Sequence, residues 1–265
     1  MSKNPFINAL QDIQQAGRQY PAWLHLGLLE VKQRYRRSVL GPWWITISTL
    51  IFIAAMGAIF SRLLTQPLDE YIPFFTAGYL LWTFISTCLN ESTDLFRSNS
   101  SCIKQLKLPY HLYVMKFLVR QAIAFSHNFV VYLLAAAYFR FNPGWSVLLA
   151  IPALFLLIVN LYWMSLFTAL ASTRFRDMVP IVNSGLQILF FLTPISWMPR
   201  MIGPDTIIVK LNPFYYLIEI VRQPLLGSIP ALSLWLVAAA FAAGGFAVSF
   251  FAFSLNKSQI PFWID

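Results

Sequence analysis

Residues 231–255 read ALSLWLVAAAFAAGGFAVSFFAFSL, a run of 25 residues without a single charged side chain. A helix that crosses a bilayer needs about 20 predominantly apolar residues, because the hydrocarbon core is about 30 Å thick and each helical residue rises about 1.5 Å. This stretch is long enough and is therefore predicted to form a transmembrane helix. The rest of the sequence is then to be interpreted as that of a membrane protein.

Five other apolar stretches satisfy the same length criterion. In chain order they lie within Trp44–Ser61, within Tyr71–Asn90, and at Tyr113–Phe139, Val147–Thr173 and Met178–Trp197. The composition agrees, since 58% of the residues are hydrophobic and 11% are charged, against roughly 45–50% and about 25% in soluble domains. We therefore predict an all-α integral membrane protein with six transmembrane helices.

Basic residues predict the orientation, because Lys and Arg in short loops stay on the cytoplasmic side. With the N-terminus inside, 14 of the 19 basic residues fall on the cytoplasmic side and 5 on the other. Both termini are therefore predicted to be cytoplasmic, no nucleic-acid partner is expected, and the first residues lack the pattern of a cleaved signal peptide. We expect one domain over 1–265: a cytoplasmic interfacial segment 1–43, a six-helix membrane domain 44–255 and a cytoplasmic tail 256–265.

Two regions differ from the spans in their pattern. Residues 5–37 repeat apolar side chains at near-helical spacing and are predicted to form an interfacial amphipathic helix, broken near Pro21. Residues 198–230 contain several prolines and two apolar segments, Ile207–Leu211 and Phe214–Val221, which are too short to cross a bilayer. This second pattern fits a re-entrant helical hairpin between the fifth and sixth spans, beside a cavity on the outer side.

No motif provides the chain with its own energy source or catalytic centre. The sequence has no phosphate-binding GxxxxGK[ST] loop, and its three histidines lack the spacing of a metal site. No cofactor or metal is therefore expected in this chain, and Cys88 and Cys102 are interpreted as unpaired thiols. Two other classes stay open: a membrane-embedded transferase, with Glu91 and Asp94 as the candidate catalytic pair, and a structural membrane scaffold.

The segment Arg34–Trp44, RYRRSVLGPWW, joins a basic helix to the first span. Gly41 permits a sharp turn, and Pro42 begins the next helix with a fixed φ. The guanidinium groups of this segment are able to bind phosphate through paired hydrogen bonds, although anionic lipid or an ordinary positive-inside anchor explains them equally well. The guanidinium groups concerned are those of Arg34, Arg36 and Arg37.

Two more polar segments interrupt the apolar pattern. Glu91–Tyr110 follows the second span and contains a short helix that ends at Pro109, which is interpreted either as a docking element for a soluble partner or as a solvated loop. Leu211–Gly227 contains Glu219 and Arg222 three residues apart. This spacing predicts a salt bridge, because ionisable groups at membrane depth tend to pair.

Taken together, these segments make the chain resemble the permease subunit of ABC exporters for surface polysaccharides, especially O-antigen. Four segments carry the resemblance in the family's order: RYRRSVLGPWW at 34–44, TRFRDMVPIV at 173–182, FFLTPISWMP at 190–199 and LNPFYYLIEIVRQPLLG at 211–227. The likeness extends from about Leu24 to Leu255. It implies the pore-forming subunit of an exporter of polyprenyl-pyrophosphate-linked O-antigen in the bacterial inner membrane. The related alternative is an exporter of capsule, teichoic acid or small amphiphiles.

The resemblance also implies partners and residue roles. Two copies of the chain form one pore, which works with two copies of a separate ATPase. That ATPase binds ATP and Mg²⁺. The other implied partners are lipid-linked polysaccharide and membrane lipid. Coupling to the ATPase is assigned to Arg97, Ile103, Lys104, Gln105, Leu106, Lys107 and Pro109. The channel entrance is assigned to Leu40 and Gly41, with pyrophosphate contacts at Arg34, Arg36 and Arg37. The outer gate is assigned to the hairpin Ile202–Leu226, with Pro213, Tyr215, Tyr216, Glu219 and Arg222. The possible sugar-stacking aromatics are Trp43, Trp44, Tyr162 and Trp163.

Overall fold

The fold is known from a computed structural model that describes residues 4–36, 39–41, 43–201, 203 and 206–264. Within these ranges the regular elements are all helices, which confirms the predicted all-α class. The α-helices are α1 (Pro5–Arg18), α2 (Tyr20–Tyr35), α3 (Trp43–Leu63), α4 (Leu68–Ser92), α5 (Leu95–Ser98), α6 (Ser100–Gln105), α7 (Tyr110–Tyr138), α8 (Ala150–Arg174), α9 (Met178–Leu192), α10 (Ile207–Lys210), α11 (Pro213–Leu225), α12 (Leu232–Asn256) and α13 (Ile260–Trp263).

Five helical segments of the described residues are long and apolar enough to cross a membrane. They are Trp43–Leu63, Leu68–Ser92, Tyr110–Tyr138, Gly144–Arg174 and Leu232–Trp263. The fourth begins with a 3₁₀ turn at Gly144–Leu149 that leads into α8. These segments correspond to the first four predicted spans and the sixth, and together they make the chain a multi-pass membrane protein.

The fifth predicted span, Met178–Trp197, has a different form. Its helix α9 ends at Leu192 after 15 residues, which is shorter than the roughly 20 residues that cross a bilayer. The cause is local: a residue before proline is pushed out of the α region, and Thr193, which precedes Pro194, is extended at φ −92° and ψ 135°. The residues that follow α9 are buried but not helical.

Helix α4 lies at the centre of the bundle and contacts α3, α7, α8, α9 and α11. Helix α3 lies at its edge and is buried along one stripe only, at Thr46, Thr49, Ile53, Gly57 and Ser61. The remaining faces of α3 are apolar and exposed. An apolar surface of this kind is solvated by lipid or covered by another protein.

The N-terminal region forms two helices, as its periodicity predicts, but the break falls at Gln19 rather than at Pro21. Pro21 lies in the first turn of α2, where a missing N–H costs nothing. Helix α2 packs closely on α7, because a Cβ atom at Gly27 would lie 2.9 Å from the carbonyl oxygen of Lys116. Only glycine permits this approach.

Contacts between distant parts of the chain define two ends of the bundle. At one end, which we name the terminal end, Lys257 binds Asp12 at 2.9 Å and the Arg174 guanidinium lies 5.2 Å from the Trp263 ring. At the other, the far end, the Ser146 hydroxyl donates to the Pro224 carbonyl oxygen at 3.1 Å. The N-terminal helices and the residues after α12 therefore share one end.

Candidate functional site

The predicted coupling segment is a short exposed element at the terminal end. Helix α6 has no buried residue, and the segment comes between two long helices, α4 and α7. Of the predicted residues, Lys104, Gln105, Leu106 and Lys107 are exposed, Arg97 and Ile103 are half-buried, and Pro109 is buried. The sequence therefore presents a surface of alternating basic, amide and apolar side chains outside the spans.

This segment is firmly anchored on its inner side. The Arg97 guanidinium donates to the carbonyl oxygen of Ser172 in α8, and the Ser172 hydroxyl donates to the Thr93 carbonyl oxygen at 2.6 Å. The Lys116 amine of α7 donates to the side-chain oxygen of Asn99 at 2.6 Å. A force applied to α6 is thus applied to α7 and α8 as well.

A buried carboxylate from α1 forms the next part of the terminal end. Asp12 is 3% exposed and accepts hydrogen bonds from the backbone N–H groups of Tyr110 and His111, at 3.2 and 3.0 Å. It also binds Lys257 at 2.9 Å. The carboxylate caps the N-terminus of α7, where orphan N–H groups and the helix dipole favour negative charge. Sequence reasoning missed this role, although Asp12 is the only acidic residue before Glu30.

A groove of about 550 Å³ separates α1 from the coupling segment and the end of α12. Its lining is mixed, with the amides Asn8, Gln11 and Gln15 opposite Leu106 and Lys107. The groove extends the exposed surface of the coupling segment, so that a soluble partner at this end would contact α1 too.

Five charged side chains of α2, α4 and α7 meet beside this segment, and we name them the charge cluster. They are Glu30, Arg34, Glu91, Lys116 and Arg120. Arg120 binds both carboxylates, at 3.2 Å to Glu30 and 2.8 Å to Glu91. Gln121 also donates to Glu91, at 2.8 Å. Glu91 is therefore satisfied by structural partners, an arrangement unlike that of an available catalytic acid.

The charge cluster includes one of the three arginines that are predicted to contact pyrophosphate. Arg34 binds Glu91 at 2.6 Å, and this hydrogen bond raises the pKa of the Arg34 guanidinium. Arg36 is exposed just beyond α2, whereas Arg37 lies outside the described residues. The entrance residue Leu40 is exposed, and Gly41 has φ +55°, the left-handed conformation that its predicted sharp turn requires. The pyrophosphate contacts themselves stay a prediction.

Polar side chains on facing sides of α4 and α9 line a second groove, of about 420 Å³. Four of its residues carry amide or hydroxyl groups: Ser86, Asn90, Asn183 and Gln187. The aromatic rings of Trp82, Phe190 and Phe191 and the side chain of Leu186 complete the lining. We name this feature the polar groove. Such side chains within apolar helices are costly in lipid, and they usually face a water-filled path or another protein.

At the far end, a buried arginine holds the irregular segment after α9. Arg222 is 0% exposed and donates to the Pro194 carbonyl oxygen at 2.7 Å. It also binds Glu219, which confirms the predicted ion pair, and its guanidinium lies 3.9 Å from the Phe74 ring centroid. The Tyr71 hydroxyl donates to the Ser196 carbonyl oxygen at 2.6 Å. Side chains from two helices thus satisfy carbonyl groups of the irregular segment that follows α9.

The other predicted gate residues lie around this arginine. Pro213 begins α11 after Asn212, whose side chain caps the helix through the Phe214 N–H at 3.0 Å. Tyr215 and Tyr216 are half-buried, and the Tyr216 hydroxyl donates to the Lys210 carbonyl oxygen at 3.0 Å. Gating by this hairpin stays a prediction.

The four candidate sugar-stacking aromatics fall into two groups. Trp43 and Trp44 are 50% and 61% exposed at the start of α3. Tyr162 is buried and stacks on His111 and Phe246. The Trp163 ring lies against Gly245, where an added Cβ would come within 2.0 Å of it. Trp44 and Trp43 are therefore accessible, although Trp43 also makes a T-shaped contact with the His127 ring, whereas Tyr162 and Trp163 join α8 to neighbouring helices in this conformation.

No group of three metal-ligating side chains occurs among the described residues.

Comparison with known proteins matches residues 22–226, from the start of α2 to the end of α11, to the ABC-2 type transporter family. Two similar proteins of Klebsiella pneumoniae, named O-antigen export system permease protein RfbA, are 23% and 24% identical over 187 residues, covering 69% of this chain and 72% of theirs. A Myxococcus xanthus protein of the same name is 21% identical with the same coverage. The chain belongs to the ABC-2 type transporter family.

Proposed function

We propose that this chain is the pore-forming permease subunit of an ATP-driven exporter, and that its cargo is O-antigen linked to a polyprenyl pyrophosphate. The observation that carries the proposal is the exposed coupling segment, anchored to α7 and α8 at the terminal end of an ABC-2 type fold. The names of the similar proteins support the choice of cargo. Export of capsule, teichoic acid or small amphiphiles is the alternative within the same class.

We further propose that the chain crosses the bacterial inner membrane six times. The contact between Asp12 and Lys257 supports an even number of crossings, because it joins the region before the first span to the region after the last. Five long helices would give an odd number. Helix α9 together with residues 193–199 supplies the missing crossing, since the Tyr71 and Arg222 side chains satisfy its irregular backbone at depth. The proline-rich residues that follow then form the re-entrant hairpin.

The terminal end is the cytoplasmic end in this proposal. It carries α1, α2, the coupling segment and the residues after α12, and in the orientation predicted from the sequence 14 of the 19 basic residues fall on this side. Both termini are then cytoplasmic, as the positive-inside rule requires. The coupling segment faces the ATPase, and one ATPase binds beneath each permease.

Two copies of the chain form the pore. The apolar exposed faces of α3 and α9 support this arrangement, because each has room for a second copy. The polar groove then faces the transport path, with water or sugar hydroxyls satisfying Asn183 and Gln187. Trp43 and Trp44 offer weak stacking surfaces near the entrance, and weak stacking suits a polymer that has to move on. Arg36 is exposed, whereas Arg34 is bound to Glu91, and Arg36 is therefore the proposed contact for a pyrophosphate.

The test is ATPase turnover and export in vesicles that contain the permease and its ATPase. We compare the wild type with the double charge reversal Lys104→Glu and Lys107→Glu, with and without lipid-linked polysaccharide. Substrate-dependent turnover should fall in the variant, because two basic side chains at the docking surface become acidic. Arg62→Glu, an exposed reversal at the far end, is the matched control and should retain turnover. Failure of the wild-type chain to bind any ATPase would refute the proposal.

A further inference from the structure

A continuous chain of polar contacts leads from the coupling segment into the bundle. It begins at Asn99, the residue between α5 and α6, whose side-chain oxygen accepts from the Lys116 amine at 2.6 Å. The same amine binds Glu30 of α2 at 2.6 Å. Lys116 is 7% exposed, so that both contacts are largely shielded from water. One lysine of α7 therefore joins the coupling segment to α2.

The chain continues along α2 toward the predicted channel entrance. Arg120, one turn beyond Lys116, binds Glu30 and Glu91. Glu91 in turn binds Arg34, which lies in the last turn of α2. Leu40 and Gly41 follow within seven residues. Helix α2 is thus held to α7 through Glu30 and to α4 through Arg34, and the second of these attachments adjoins the entrance.

These contacts make α2 and the first half of α7 a stiff unit. Charge-assisted hydrogen bonds of 2.6–3.2 Å are the stronger kind, and their energy rises where water is excluded. Three residues before Glu30, α2 also touches the α7 backbone, because Gly27 carries no side chain. A displacement of α7 is therefore carried to α2 by charge and by packing at once.

We propose that the charge cluster is a strut that carries movement of the coupling segment to the entrance loop, with Lys116 and Glu30 as its positioning residues. This inference rests on the proposed function, since it needs an ATPase that moves the coupling segment. Static anchoring is the competing explanation. An anchor affects only assembly and stability, whereas a strut affects how much export each ATP hydrolysed produces.

The experiment uses the reconstituted permease–ATPase complex and four readouts: assembly, ATPase turnover, export, and maleimide labelling of Leu40→Cys. The labelling background carries Cys102→Ser, because Cys102 is the exposed cysteine and Cys88 is buried. The test variants are Glu30→Gln, Lys116→Gln, Gly27→Ala and the swap Glu30→Lys with Lys116→Glu. Glu70→Gln is the matched control, since Glu70 binds Arg200 at 2.7 Å at the far end of α4.

The strut predicts uncoupling in both the charge and the packing variants. Glu30→Gln, Lys116→Gln and Gly27→Ala should assemble and keep ATPase turnover, while export falls about ten-fold, which corresponds to about 1.4 kcal/mol of lost coupling. Labelling of Leu40→Cys should depend on trapped nucleotide in the wild type and lose this dependence in these variants. The charge swap should restore export and labelling in part, because Arg120, which binds Glu30 at 3.2 Å, then faces a lysine, and Glu70→Gln should match the wild type.

Two results would overturn the strut. Export and nucleotide-dependent labelling that survive in Lys116→Gln and Gly27→Ala would remove any role in transmission. Loss of assembly in the charge variants, combined with normal export in Gly27→Ala, would reduce the cluster to an anchor. A wild-type complex without ATP-dependent export would instead contradict the proposed function, so that the two failures are distinguishable.

Discussion

The two ends of the bundle both use charged side chains, but they distribute them differently. At the far end, Arg222 and Glu219 form one pair that is almost fully buried. At the terminal end, three cations share two carboxylates, and the side chains of Arg34 and Glu91 are 44% and 27% exposed. A single buried pair fixes one backbone segment in place, whereas a shared cluster ties three helices together. The far end is therefore suited to holding one conformation, and the terminal end to transmitting movement as a connected unit.

The largest effect should follow from breaking the buried pair. Arg222→Met leaves the Glu219 carboxylate without its partner and frees the Pro194 carbonyl oxygen, which should cost about 3–5 kcal/mol of unfolding free energy. The apparent melting temperature in detergent measures this loss. The double variant Arg222→Met with Glu219→Leu removes both charges and should recover part of it. A melting temperature equal to that of the wild type would show that Arg222 does not hold this segment.

A smaller effect at the same place should come from α4. A Cβ atom at Gly78 would lie 2.9 Å from the Arg222 guanidinium, which cannot turn away without losing its partners. Gly78→Ala should therefore cost about 1–3 kcal/mol through overpacking. Gly185→Ala in α9 is the control, because nothing lies within 4 Å of its added Cβ. Equal melting temperatures for the two variants would argue against tight packing at Gly78.

The prediction for the terminal end concerns its buried carboxylate, that of Asp12. Asp12→Ala removes the cap of α7 and the partner of Lys257, and should cost about 1–3 kcal/mol. Asp12→Asn should cost less, because its amide oxygen still accepts from the backbone N–H groups. Hydrogen exchange at the Tyr110 and His111 amides measures the cap directly and should accelerate most in Asp12→Ala. Unchanged exchange there would mean that the cap contributes nothing.

The smallest effect is expected from the exposed pair between Glu70 and Arg200, whose side chains are 50% and 52% exposed. Such pairs contribute about 0–1 kcal/mol, because water screens the charges and ordering long side chains costs entropy. Glu70→Gln should leave the melting temperature nearly unchanged. A loss of melting temperature as large as that of Asp12→Ala would mean that burial does not determine how much these contacts contribute to stability.

Composition and run length were enough to predict the spanning helices, because lipid imposes a length and an apolar composition on each of them. They were not enough for α9. Hydrophobicity averaged over a window of residues does not detect the end of the helix before Thr193. The signal for that end is the dipeptide Thr193–Pro194. The ion pair of Glu219 and Arg222 was predictable because both partners lie on one face of one helix.

The charge cluster and the Asp12 cap were not predictable in the same way. Glu30 and Arg120 are 90 residues apart, and Asp12 and His111 are 99 apart. Their pairing depends on how α2 and α1 lie against α7, which no local pattern specifies. In the sequence the basic residues concerned serve as signals of orientation, and this use ignores the carboxylates that they meet.

The Asp12 cap has a consequence for biosynthesis. Helix α1 is synthesised before α7 and α12, yet the N–H groups that its carboxylate caps belong to Tyr110 and His111, and its lysine partner is Lys257. A buried carboxylate without partners is costly, so α1 has no stable place on the bundle until α7 and α12 have been inserted. Its docking is therefore a late event that depends on correct insertion of both helices. If either helix fails to insert, α1 stays undocked. The helix and its Asp12 side chain are then accessible to proteases and chaperones.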